Sequence, residues 1–295
     1  MTVRDCISAF LIEQQIRGNA KNTVLYYSRC LGFFADFDGN ADKPINSISE
    51  LDCKRYYLYL SKKEVTSTTI QTYIRALRAF LLWCYAEQYM QENIPEKFRL
   101  PKAQRKTIDV LTDNEIQRLF RCFRGGRFVD VRNYCILALM LDSGLRLNEV
   151  VTLESGNMHI AEGYAIVNGK GNKQRIVPLG LHSKKALLRY IALIPYRCDK
   201  TPLFVKDDLT ALQQSTIKQL FRKLKVQADI PRLRPHLLRH TFATRYLENG
   251  GDIYALQMIL GHTSLEMVKR YVHLTTSKMT VNYTVYSPLD NVLKR

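Results

Sequence analysis

The stretch Gly163–Gly180, GYAIVNGKGNKQRIVPLG, is where the hydrophobic period of this chain changes. Apolar residues alternate on both sides of Gly169–Asn172, the spacing of half-buried strands joined by a glycine-bearing turn, so the stretch reads as a β-hairpin with a basic tip. Its surroundings read as helices. Upstream, LTDNEIQRLFRCF opens with Thr112 or Asp113 as a helix cap, and RNYCILALMLDSGLRLNEVVTLE is a long apolar helix broken near Gly144. From Ser183 onward the helical period returns. The second part of the chain is therefore expected to be mainly α with one small antiparallel β-sheet.

The first part carries no strand pattern. In STTIQTYIRALRAFLLWCYAEQY (Ser67–Tyr89), Ile70, Tyr73, Ile74, Leu77, Leu81, Cys84 and Tyr85 share one helical stripe, while Arg75 and Arg78 fall elsewhere. TVRDCISAFLIEQQIRG, NTVLYYSRCLGFFADF and DCKRYYLYLSKK give three more helices, separated by Gly18–Asn22, Gly39–Asn46 and Glu64–Thr66. A four-helix domain over residues 1–94 follows. Residues 95–108 hold Pro95, Pro101 and basic residues without a hydrophobic period, and read as a linker that either contacts phosphates or is merely a solvated connector. A second domain is expected over 109–276, and a tail over 277–295.

Charge narrows the function. The chain of 295 residues has a formal net charge of +17, and residues 1–95 hold 11 Lys and Arg against 10 Asp and Glu. The remaining 33 against 17 put nearly the whole positive field on the second part. Charge dispersed through folded sequence, without a polybasic tail or long basic amphipathic helix, points to nucleic acid in preference to a membrane surface. Seven scattered cysteines without a C-x-x-C pair read as reduced, mostly buried fillers. With no leader pattern or membrane-length apolar run, a soluble, cytoplasmic protein is expected.

Four sites carry candidate chemistry, each with an ordinary alternative. Arg146 follows the break at Gly144, with Glu149 three residues on and on the same face; alone, the two read as a surface ion pair. Lys170 sits between two glycines at the hairpin tip, where a solvated turn lysine is the plainer reading. In RPHLLRHTFATRYL, the spacing of His236 and His240 suggests zinc, but Leu237 stands where an H-E-x-x-H motif needs its glutamate. His236 with Arg239 instead suits an anion, leaving His240 as a hydrogen-bonded structural histidine. Finally, LGHTSLEMVKRYVHL places His262 nine residues before Tyr271, which by itself reads as a packing aromatic.

Taken together the set is two arginines, a lysine, two histidines and a tyrosine, without an acidic cluster. In-line attack on a phosphodiester requires the charge on the non-bridging oxygens to be neutralised, and arginine forks can do this without metal ions held by carboxylates. Lys170 on a hairpin tip suits a general acid for the leaving alkoxide, and a phenol nucleophile needs a nearby imidazole and a positive field. No metal or cofactor is expected.

These motifs, SGLRLNEVVTL, GKGNKQRIVPLG, HLLRHTFAT and LGHTSLEMVKRYVHL in this order, resemble the tyrosine recombinase (phage integrase) family, most closely its Xer-type members and mobile-element integrases. The resemblance implies a SAM-like core-binding domain ahead of an α+β catalytic domain, the two clamping double-stranded DNA at specific recombination sites. It implies that Arg146 and Arg239 bind the scissile phosphate, Lys170 protonates the 5′ oxygen, and His236 assists proton transfer at the tyrosine. His262 then hydrogen-bonds the phosphate, and Tyr271 forms a 3′-phosphotyrosyl bond without metal or ATP. Glu149 is implied to orient the site. Four protomers, alike or shared with a paralogue, are implied to work through a Holliday junction, with a directionality factor as a possible partner and the tail docking on a neighbour. The expected DNA contacts are Arg75, Arg78, Lys102, Arg105, Lys106, Lys173 and Arg175. The rival readings are a non-catalytic DNA-binding accessory protein and a type IB topoisomerase-like enzyme.

Overall fold

The computed structural model describes residues 1–97, 108–123, 125–169, 173–195, 198–262 and 264–272, with the side chains of 270 and 272 excepted. Two units divide the chain, Met1–Lys106 and Thr107–Arg295.

The first unit is built on α1 (Val3–Ile16), α2 (Lys21–Asp36), α3 (Glu50–Lys62) and α4 (Ser67–Ala86). Side chains just ahead of three of these helices start them. Thr2 and Ser49 each form a capping box with the aspartate three residues on, and Thr66 accepts from the Thr69 amide, so amide donors the helix cannot satisfy are met locally. Phe34, Tyr56, Ile74 and Phe80 are fully buried where the helices meet, each such side chain contributing about 1.5–3 kcal/mol of hydrophobic stabilisation. The α4 stripe differs from the sequence expectation at its end. Phe80 is buried and Tyr85 is 42% exposed, because Cys84 and Leu81 already fill the inward face of the last turn. Ile94 and Pro95 are also buried, in a short helix α5 (Ile94–Lys97), so the first unit's packing extends past the expected start of the linker.

The second unit is organised around α7 (Phe128–Asp142), which follows α6 (Asp113–Arg121). A run from Cys135 to Met140 is buried without a break. A helix apolar all round must lie inside the unit, and here α9 (Leu181–Ile191) and α11 (Pro235–Glu248) pack against it. Gly144, at φ +62, ends α7, and α8 (Leu147–Val151) begins two residues beyond Leu145. The sheet has three antiparallel strands in the order β1 (Met158–His159), β2 (Tyr164–Asn168) and β3 (Gln174–Pro178), with Val167 opposite Arg175 and Ala165 opposite Val177. The expected hairpin is thus present, with β1 added at its outer side. Three further helices complete the unit: α10 (Gln214–Gln227), α12 (Ile253–Leu260) and α13 (Glu266–Val272). Cys6, Cys30, Cys53, Cys84 and Cys135 are buried, Cys198 is exposed, and every described cysteine is a free thiol.

Candidate active site

Helix ends assemble the site. Arg146 caps the start of α8 from the position just ahead of it, and its amide donates to Glu149 Oε2 at 2.8 Å while its guanidinium donates to Oε1 at 2.8 Å. This is not a surface pair, since the Glu149 side chain is only 3% exposed. Arg175 closes the other side: both its terminal nitrogens donate to the two Glu149 oxygens at 2.8 Å, and its Nε donates to the Ile259 carbonyl at 2.6 Å. Burial alone would raise the Glu149 pKa, but the Arg175 hydrogen bonds and the Arg146 amide outweigh it and hold the carboxyl down at about 2.

Arg239 is buried on α11 and held in a different way. Its Nη1 donates to the Gly144 carbonyl at 2.7 Å, and its Nη2 donates to the Leu260 carbonyl at 2.6 Å. Both carbonyls sit at helix ends: Gly144 just past α7, and Leu260 as the last residue of α12 before the left-handed Gly261. Backbone oxygens at helix C-termini carry partial negative charge and have no partner inside the helix, so they suit a buried cation. Among the described residues no carboxylate pairs with Arg239. Burial, then the nearby Arg146, lower its pKa to about 10, which leaves it charged at neutral pH.

His262 follows α12 and places Nε2 3.1 Å from Arg239 Nη2. A guanidinium only donates, so Nε2 accepts and the ring proton belongs on Nδ1. Burial, then Arg239 and Arg146, push the His262 pKa down to about 4, so the ring is neutral at pH 7. The same causes, partial burial first and then Arg239, Arg234 and Arg146, lower His236, which opens to solvent at the rim of the site.

Tyr271, on α13, is 4% exposed. Its hydroxyl lies 2.8 Å from Nδ1 of His240, one helical turn beyond His236 on α11. The histidine at the tyrosine hydroxyl is therefore His240, where the sequence expectation had His236. The difference comes from α13 packing alongside α11, a contact that no local spacing encodes.

The structure brings together Arg146, Glu149, Arg175, His236, Arg239, His240, His262 and Tyr271. Arg175, expected among the DNA contacts, turns inward because the strand period puts it on the same face as buried Val177; its side chain is 10% exposed. Lys173 and Arg75 are exposed, and Arg78 is half-buried on α4. Lys170, Lys102, Arg105 and Lys106 lie outside the described residues, as does the tail over 277–295. Among the described residues no group of His, Cys, Asp and Glu is arranged to hold a metal ion, and no helix is long and apolar enough to cross a membrane.

The profile of the phage integrase family matches residues 109–278, and that of the phage integrase SAM-like domain matches residues 5–100. The chain belongs to the phage integrase family. These tyrosine recombinases are enzymes that cut and rejoin DNA at specific sites. Tyrosine recombinase XerD of Oceanobacillus iheyensis is 31% identical over 280 residues, spanning 92% of this chain and 94% of the relative. Among solved structures, the XerA recombinase is 30% identical with a TM-score of 0.53, covering 97% of this chain and 99% of that one. The Tn1549 transposon integrase in complex with a circular intermediate DNA has a TM-score of 0.74 at 22% identity, covering 92% and 95% of the two chains, which is a likeness of fold.

Proposed function

We propose that this recombinase cleaves double-stranded DNA through a 3′-phosphotyrosyl bond to Tyr271, at a phosphate held by Arg146 and Arg239. The observation that carries the reading is Arg239. A guanidinium buried among backbone carbonyls, with no carboxylate among the described residues in direct contact with it, is arranged for an anion brought from outside. His262 supports it: a neutral ring with its proton on Nδ1, an atom that is buried without a described partner, offers a donor to a non-bridging oxygen. Glu149 does not contact the phosphate in this scheme. It and Arg175 hold Arg146 in place, so Arg175 joins the site as a support.

Lys170 is assigned protonation of the leaving 5′ oxygen, on the family resemblance. The covalent link conserves the energy of the broken phosphodiester, so a second strand's 5′ hydroxyl can rejoin it without ATP or a metal ion. Residues 1–94 and the basic segment over 95–108 form the other half of a DNA clamp, to which Arg75, Arg78, Lys102, Arg105, Lys106 and Lys173 contribute phosphate contacts. Four protomers, alike or shared with a paralogue, act on two sites through a Holliday junction, with the tail over 277–295 docking on a neighbour and a directionality factor setting direction where one is used. The same reaction serves a mobile element's integration and excision or the resolution of DNA dimers in the cytoplasm.

A nicked suicide substrate carrying the recombination site tests the scheme. The wild-type protein is expected to form a covalent protein–DNA adduct without added metal, and Tyr271→Phe to form none. An adduct that persists in Tyr271→Phe removes the nucleophile from this reading.

A further inference from the structure

We propose that His240 is the base that takes the proton from Tyr271 as the tyrosine attacks, an assignment that rests on the cleavage reading above. The family resemblance gives this task to His236. The two histidines lie four apart on α11 and so occupy one face, a turn from each other. His240 is the one whose Nδ1 meets the tyrosine hydroxyl, at 2.8 Å, with the two rings 5.8 Å apart and inclined at 45°. That distance already satisfies the reach required of a general base, before any substrate is bound. His236 is left to the rim, among Arg146, Arg234 and Arg239, where it faces the incoming DNA.

In the productive tautomer His240 carries its proton on Nε2 and accepts the phenol hydrogen bond at Nδ1. As the Tyr271 oxygen bonds to phosphorus, its O–H bond breaks and the proton passes to Nδ1, giving an imidazolium. The bond from phosphorus to the 5′ oxygen breaks, and that oxygen receives its proton from the general acid. On rejoining, the 5′ hydroxyl attacks, the phosphorus–tyrosine bond breaks, and the imidazolium returns its proton to the departing phenolate. His240 touches the reacting atom, so it is a catalytic residue in this scheme. Of the ionisable groups around the pair, Arg239 on α11 acts on Tyr271 and His262 beyond α12 acts on His240.

A second use of the same contact gives the opposite sign. If His240 only parks the hydroxyl in a resting state, its removal speeds cleavage. The test is the rate of adduct formation on the nicked suicide substrate between pH 5.5 and 9, for wild type, His240→Asn, His240→Gln and His236→Asn, with binding to the uncleaved site and thermal melting measured alongside. Base catalysis predicts that His240→Asn and His240→Gln bind and melt as wild type does but cleave about 10²-fold more slowly or worse. It also predicts that they lose the rise of rate with pH that an imidazole produces. In His240→Ala, which leaves space at Nδ1, added imidazole is expected to restore part of the rate. A His240 variant that cleaves at or above the wild-type rate overturns the proposal. So does a pH limb that survives in His240→Asn and vanishes in His236→Asn, or a slow His240→Ala that imidazole does not rescue. Absence of any wild-type adduct overturns the cleavage reading and this assignment with it, whereas a fast His240→Asn leaves the cleavage reading intact.

Discussion

Replacing Glu149 by glutamine removes the charge on which Arg146 and Arg175 converge while keeping the side chain's shape, and turns one acceptor oxygen into an NH2 donor facing the guanidinium groups. The carboxyl pKa of about 2 against an ordinary 4.5 corresponds to about 3 kcal/mol at 1.36 kcal/mol per unit. Breaking a buried ion pair by removing one partner costs roughly 3–5 kcal/mol, so the two routes agree. Arg175 bears most of the loss. Its side chain is 10% exposed and would keep only the Ile259 carbonyl, whereas Arg146 at 33% can turn to water. The folded state depresses this carboxyl, so its contribution is complete above the unfolded pKa near 4.5 and is lost as pH falls towards about 2. The wild-type advantage over Glu149→Gln should therefore be constant from pH 7 to about 5 and shrink below that. Urea titrations at several pH values measure it by far-UV circular dichroism. Fluorescence of Trp83, the single tryptophan and a residue of the first unit, serves as the control that should not move. A destabilisation below about 1 kcal/mol at pH 7, or one unchanged at pH 3, refutes the account of Glu149 as the ionised hub.

Gly144→Ala should cost about 2–4 kcal/mol, since it forces a left-handed φ of +62 on alanine and sets a Cβ 2.4 Å from the Phe242 ring; thermal melting checks it, with Gly126→Ala, which meets nothing within 4 Å, as the neutral comparison. Arg239→Ala should reduce suicide-substrate cleavage at least about 10²-fold while leaving binding to the uncleaved site largely intact; loss of both together would show that the guanidinium chiefly holds the fold. The His262 ring should titrate in an NMR pH series well below the usual 6.5, near the pKa of about 4 that burial and Arg239 impose. Because the fold favours its neutral form, His262 destabilises the protein progressively as pH falls from about 6.5. A midpoint near 6.5 would refute the neutral-donor role.

Local chemistry made much of this fold legible. The break at Gly144, the hairpin around Gly169–Asn172 and the cap before α6 all depend on residues within a few positions of one another, and each is where the sequence pattern puts it. The ligands of Arg239 lie 95 and 21 residues away and are backbone atoms, so no residue type announces them. Tyr271 and His240 are 31 apart and meet only because α13 lies along α11. Arg175 is the instructive case, since its placement was available in principle. Alternation along β3 puts it on the face of Val177, away from the expected DNA contact; a buried Glu149 draws it inward, because a buried charge requires a partner.

The same three arginines set the electrostatics of the proposed reaction. With His262 neutral, Arg146, Arg175 and Arg239 face one carboxylate, Glu149, so the described site carries a surplus of two positive charges. A phosphodiester carries one negative charge, and an attack that adds a fifth oxygen to phosphorus raises this towards two. Any positive surplus attracts the more negative transition state more strongly than the ground state, and a surplus of two does so more than a surplus of one. A surplus of two is better met as the charge develops. Glu149 thus has two effects on the reaction: it fixes Arg146 in place, and it removes one of the three positive charges. Protonating His262 would remove the acceptor that Nε2 offers to Arg239 and set a second cation against that guanidinium, so the burial that keeps this histidine neutral preserves the arrangement of Arg239.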